Sequence, residues 1–202
     1  GQELITRVLE ELYRGLLVSA QNANMKARVI GGSIGGVEKL AAVLFDFDPK
    51  KVFDDYGGNS ERVLSNIKDK LKPSGEIRNT PMSIWPKYCQ TILSAAQFFM
   101  QFACGKEFYV WANHFYQDKR SIAALPMILA EEIYGIGYPL ACDFLKDLGF
   151  VNYGKPDAHI IGIFEGLALC HKGASPYEIQ KIIVQMAEAK GVSACNVDQL
   201  FW

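Results

Sequence analysis

Apolar residues return in pairs every four positions at the start of the chain, as Leu4/Ile5, Val8/Leu9, Leu12/Tyr13 and Leu16/Leu17, and similar faces recur through most of the 202 residues. An α-helix brings residues three and four apart onto one side, so this spacing predicts an amphipathic helix over residues 3–20. Little of the sequence alternates with the period of two that a half-buried strand requires. An all-α fold is therefore expected.

A chain of this length can bury a substantial core, and it reads as a single domain, residues 1–202, built from two interleaved helical lobes. Half of the residues are apolar and 21% are charged, which excludes the composition of a disordered chain. The longest uncharged run, residues 88–105, approaches the length of a membrane span. However, Gln90, Ser94, Gln97 and Gln101 recur within it at steps of four, three and four, forming a polar stripe on a helix inside a soluble protein. No membrane partner is expected. The five cysteines are widely spaced and include no C-x-x-C pair, so reduced thiols, no metal site and a cytoplasmic location are expected. Cys104 and Cys142 lie in apolar surroundings that suit buried thiols.

Breakers and caps divide the chain. Asp48-Pro49 and Ser60-Glu61 each place an oxygen-bearing side chain ahead of a helix, and Ser175-Pro176 does so before a helix ending near residue 189. The stretch Gly31-Gly32-Ser33-Ile34-Gly35-Gly36 reads as flexible and precedes a helix over residues 37–45. It is not a phosphate loop of the Walker kind, because Val37-Glu38-Lys39 stands where Gly-Lys-Ser/Thr would be required. Residues 106–116 and 122–134 are expected to be helical, with Pro126 starting or kinking the second. Residues 139–148 form another helix, for which Pro139 suits the first turn and Gly149 the stop, while Asp143 and Lys146 point outward. After a loop, a further helix is expected over residues 157–170.

The sequence Gly135-Ile136-Gly137 thus makes a tight turn between two helices, with Ile136 as its packing residue. Glycines allow close backbone approach, and the amides at a helix start attract anions. A helix–turn–helix corner needs no ligand, so the turn alone is compatible with a purely structural role. One helix and one loop later stands Lys155-Pro156-Asp157-Ala158-His159. Asp157 before an apolar helical run is a good N-cap, and a cap and a catalytic carboxylate are compatible roles.

With these two motifs, roughly a sixth of the chain resembles the helix-hairpin-helix DNA glycosylase superfamily, whose relatives carry a Gly-hydrophobic-Gly hairpin and a downstream Asp-x-His. The resemblance implies a two-lobed helical bundle with its hairpin motif at about residues 122–149, acting on double-stranded DNA that contains a lesion. Gly135, Gly137 and Tyr138 would lie at the DNA backbone, with Lys155 as a further phosphate contact and, in some relatives, a monovalent cation at the hairpin. Asp157 would be the catalytic carboxylate, which stabilises the positive charge that develops on the deoxyribose as the glycosidic bond breaks. His159 is expected to pack or to support rather than to act as a base.

Relatives that also cleave the strand carry a nucleophilic lysine two residues after the second hairpin glycine, and this chain has Pro139 there. The resemblance is therefore to the monofunctional branch, with water as nucleophile, no lyase activity, no iron–sulfur cluster and a monomeric protein. An everted base needs flat walls. Trp85, Tyr109, Trp111, Phe115 and Tyr116 are candidates, with Gln97 on the polar stripe to read base edges. Aromatics at such spacings are more often core residues than pocket walls. The net charge of -1 gives no global electrostatic case for nucleic acid. Local patches could come from Lys68, Lys70, Lys72 and Arg78, or from Lys119 and Arg120. Two alternatives stand beside excision: a non-catalytic DNA-binding protein that kept the hairpin, and a helical interaction module in which the turn is a corner.

Overall fold

The computed structural model describes residues 7–23 and 27–201, and these are helical and contain no strand. They cluster into two compact units, each assembled from separated stretches of chain. One comprises residues 7–109 with 132–136, and the other residues 110–131 with 137–201.

The first unit is organised around α5 (Ile84–Phe99), which packs against α1 (Leu9–Ala20), α3 (Pro49–Tyr56) and α4 (Ser60–Leu71). Eleven of the sixteen α5 residues are buried, including Trp85, Ile92 and Phe99. Two tyrosines lock α1 to α5 in opposite directions: the Tyr13 hydroxyl donates to the Ile92 carbonyl at 2.8 Å, and the Tyr88 hydroxyl donates to Leu17 at 2.9 Å. Burial pushes both hydroxyls far above the usual phenol range, so they remain donors. Pro86 sits in the first turn of α5, where its missing amide costs no helical hydrogen bond.

The second unit includes α8 (Tyr138–Asp147), α9 (Ala158–Gly166), α10 (Pro176–Lys190) and α11 (Ala194–Leu200), with α10 touching the other three. Ile160, Phe164, Ile179, Ile183 and Val197 form its buried cluster. Ser175 and Glu178 make a reciprocal capping box at the start of α10, as the Ser-Pro signal suggests. The boundary between the units falls within α6 (Gly105–Tyr116) and next to the end of α7 (Ala124–Glu132), whose third residue is Pro126.

Several sequence expectations need correction. Of the helix expected over residues 3–20, residues 3–6 lie outside the described residues, and Arg7 and Val8 are not helical. The glycine-rich stretch forms a helical turn, α2 (Gly31–Ile34), with Gly31 and Ile34 buried. It leads into two 3-10 segments, Val37–Ala42 and Phe45–Phe47, in place of one helix over residues 37–45. Asn59, not Ser60, caps α4 by accepting the Arg62 amide at 3.0 Å. Asp48 does cap α3, through the Lys51 amide. Cys142 is buried but Cys104 is exposed, because it stands at the corner ahead of α6.

Helix α9 stops at Gly166, four residues before the expected end. Ala168 adopts a left-handed conformation (φ 54°), and the chain folds back so that the Leu169 amide reaches Phe164 and the Ala168 amide reaches Glu165. These two bonds are a Schellman stop. The same pair of bonds ends α8 at Gly149, from Phe150 to Leu145 and from Gly149 to Lys146.

Candidate functional site

The Gly135-Ile136-Gly137 turn is held from within. Gly135 has φ 79°, in the left-handed region that an L side chain rarely adopts, and a Cβ there would lie 2.6 Å from Thr91 Oγ1. Glycine is required at that position on both counts. The Ile136 amide donates back to Ile133 at 3.2 Å, and the Ile136 side chain is buried, which is the packing role its sequence position suggests. Ser94 Oγ accepts the Tyr134 amide at 3.0 Å, so one member of the α5 polar stripe fixes the approach to the turn.

Gly137 is extended (ψ 163°) and stands as the N-cap of α8, with no side chain capping the helix and Pro139 in its first turn. Uncapped first-turn amides of this kind are the groups an anion would meet. A monovalent cation at the turn would depend on backbone carbonyls, since Ile133, Gly135, Ile136 and Gly137 carry no side-chain oxygen. The carbonyls of Ile133 and Gly137 each already accept one amide, from Ile136 and Ala141.

Tyr138 departs from the expectation of a DNA contact. Its hydroxyl donates inward to the Ala123 carbonyl at 2.8 Å and its ring meets Tyr177 edge-on, with burial raising the hydroxyl well above the ordinary phenol value. A tyrosine one residue into a helix next to a glycine turn looks exposed in sequence, but here its hydroxyl has a partner in the preceding segment.

Asp157 is the N-cap of α9. Its Oδ1 accepts the amides of His159 at 3.0 Å and Ile160 at 3.2 Å. Both cap bonds fall on one oxygen, which leaves Oδ2 for another partner. The cap role read from the sequence is thus realised, and it does not consume the carboxylate. His159 is exposed on the first turn of α9.

Lys155, expected at a phosphate, is instead drawn into a charged cluster. Its Nζ lies 3.0 Å from Asp143 Oδ2, while Lys146 Nζ lies 3.1 Å from Asp143 Oδ1 and 3.7 Å from Asp198 Oδ2. Asp143 and Lys146, expected to point outward, are therefore half-buried partners. Burial alone would raise the Asp143 carboxyl, but hydrogen bonds from Lys155 and Lys146 outweigh it and hold the carboxyl below its ordinary value. The formal charges within the cluster cancel, two lysines against two aspartates. Lys119 and Arg120 are likewise paired, with Glu188 and Asp118. Lys70, Lys72 and Arg78 remain exposed.

The aromatic candidates are divided between the two units. Trp85 is a core residue, 3% exposed and edge-on to Tyr88, and Gln97 lies twelve residues farther along the same helix, about 18 Å by helical rise. The two cannot flank a single base. Tyr109 is buried. Trp111 packs edge-on to Phe115, and Tyr116 meets Phe150 edge-on and Tyr153 at a tilt while its hydroxyl accepts the Asn152 amide at 3.2 Å. Tyr116 also lines a cavity of about 320 Å³ with Asn152, Val184 and Ala194.

A second cavity, about 350 Å³, borders the hairpin and is lined by Ala20, Ile30, Lys87, Tyr88, Thr91 and Gly135. Sequence reading did not single out Lys87 or Thr91. Both lie on α5 four residues apart, a spacing shared by many helix residues and carrying no signal of a site. Among the described residues no helix is long and apolar enough to cross a membrane.

No family model, no curated protein and no solved structure matches the chain.

Proposed function

We propose that this protein is a monofunctional DNA N-glycosylase that hydrolyses the bond between a damaged or mismatched base and deoxyribose in duplex DNA. The observation that carries the reading is Asp157: a carboxylate fixed at a helix start by two backbone amides on one oxygen, with the other oxygen left over. A rigid carboxylate beside the sugar stabilises the oxocarbenium-like charge that builds as the base departs, and it can orient or deprotonate the attacking water. The left-handed Gly135 and the uncapped start of α8 support a phosphate contact one helix upstream. Pro139 in the first turn of α8 leaves no amine for a Schiff base with the sugar, which favours water as nucleophile.

A second reading, a DNA-binding protein without excision, is favoured by the Lys155–Asp143–Lys146 cluster, in which Lys155, two residues before Asp157, is already paired with a carboxylate. Duplex oligonucleotides carrying uracil, hypoxanthine, 8-oxoguanine or an alkylated purine separate the two. Alkali-labile abasic sites formed by the wild type and lost in Asp157→Asn support the proposal. Binding to the same duplexes without excision supports the second reading, and absence of binding at low salt sinks both. Covalent trapping by borohydride would overturn water as the nucleophile.

A further inference from the structure

The segment that delivers Asp157 is gripped from behind by two buried polar side chains whose presence the hydrophobic core does not explain. Gln180 on α10 is fully buried, and it spends both ends of its amide on this segment. Its Oε1 accepts the Gly154 amide at 3.1 Å and its Nε2 donates to the Asn152 carbonyl at 3.0 Å. Asp198 on α11 is 3% exposed and accepts the Lys155 amide through Oδ1 at 2.9 Å. Its other oxygen faces Lys146. Burying a carboxylate and an amide is costly unless each is satisfied, and both are satisfied here mainly by backbone of residues 152–155.

Gly154 fits the same arrangement. A Cβ on it would meet Ile183 Cδ1 at 2.9 Å and Asp198 Cβ at 3.4 Å, so the backbone lies directly against α10 and α11. From Lys155 to Asp157 little freedom remains. The Lys155 side chain is held by Asp143, Pro156 is buried and fixes its own φ, and the Asp157 amide donates to the Lys155 carbonyl at 2.7 Å, closing a three-residue turn around the proline. The Asp157 side chain then turns forward to cap α9.

We propose that Gln180 and Asp198 are positioning residues that hold the Asp157 carboxylate in register for the reaction by clamping the backbone of residues 152–155. The inference rests on the excision reading of Asp157 and adds to it which residues set the placement of that carboxylate. A misplaced carboxylate still lets DNA bind, but stabilises the transition state poorly, so the clamp acts on the chemical step.

The test uses the full chain and whichever of the four lesion duplexes the wild type processes, with single-turnover excision and DNA affinity measured separately. Asp198→Ala is expected to slow excision by tenfold or more, with DNA affinity changed less than twofold. Asp198→Asn, which keeps an acceptor for the Lys155 amide, is expected to recover most of the rate. Because Asp198→Ala also leaves Lys146 short of a partner, Pro156→Ala serves as a second variant. It keeps both clamp residues and loosens only the link to Asp157, and it is expected to slow excision several-fold. Excision at the wild-type rate in Asp198→Ala or Pro156→Ala overturns the clamp, as does a loss that follows DNA affinity or an Asn variant as slow as Ala. A wild type that excises none of the four bases overturns the excision reading itself, and the clamp with it.

Discussion

Replacing Asp157 separates its observed cap role from the catalytic role proposed for it. In the structure its Oδ1 takes two amide hydrogen bonds at the start of α9, so Asp157→Ala removes the cap and is expected to cost about 1 kcal/mol of stability. For a chain of 202 residues that corresponds to a melting shift of about 2–4 °C. Asparagine caps a helix about as well as aspartate, and Asp157→Asn sacrifices mainly the attraction between a negative charge and the helix start, about 0.3–1 kcal/mol. The chemistry ranks the variants differently. Neither Ala nor Asn supplies a negative charge or a base, so both are expected to lose about 100-fold or more in excision rate. Urea unfolding followed by far-ultraviolet circular dichroism gives the first quantity, and single-turnover release of the base from a lesion duplex gives the second. Excision near the wild-type rate in Asp157→Asn, with Asp157→Ala losing stability and activity in parallel, would refute the reasoning: the carboxylate would then be a cap and nothing more.

Gly135→Ala is expected to destabilise by about 1–2 kcal/mol from the left-handed backbone alone, with a further steric cost from Thr91 Oγ1; adding Thr91→Ala should return only the steric part, as read from denaturation midpoints. Ala168→Gly relieves the same kind of strain at the end of α9 and is expected to stabilise by about 0.5–1 kcal/mol, so a lower midpoint in that variant would contradict the Schellman geometry. His171 is held above its ordinary value of 6.5 by the Lys172 carbonyl and by Glu178, while hydrogen bonds from Ser175 and His171 push Glu178 down to about 2. The His171 contribution is complete below pH 6.5 and fades as pH rises through the higher folded value; that of Glu178 is present above pH 4.5 and is lost as pH falls toward 2. In an NMR titration Glu178→Gln is expected to move the His171 midpoint downward, and an unchanged midpoint would remove Glu178 from the account.

The two helix stops show how far sequence reading reaches. Gly149 announces the end of α8 because glycine is the residue that takes the left-handed cap conformation without penalty. The chain ends α9 with the same pair of hydrogen bonds, but places alanine at the left-handed position, and alanine carries no such signal. The caps behave alike. Asp48, Asp157 and Ser175 cap their own helices through amides two or three residues ahead, a local geometry that a short window of sequence contains. Tyr138, Asp143, Lys146 and Lys155 look like surface groups in any short window. Asp143 and Lys146 meet within one helical turn, but Lys155 lies 12 residues from Asp143 and Asp198 lies 52 from Lys146, and only folding brings those groups together.

The sequence by itself determined the all-helical class, most helix starts, and the motif in which a glycine turn precedes Asp157, because these depend on periodicity, capping and backbone freedom within a few residues. The tertiary structure alone decided what surrounds the motif. It turned Tyr138 inward, neutralised Lys155 with Asp143, sent Trp85 into the core, and set Gln180 and Asp198 behind the Asp157 segment. The physical reason is the desolvation of polar groups. A buried amide or carboxylate must find its partner wherever the fold supplies one, and that partner's position along the chain is fixed by packing rather than by any local rule.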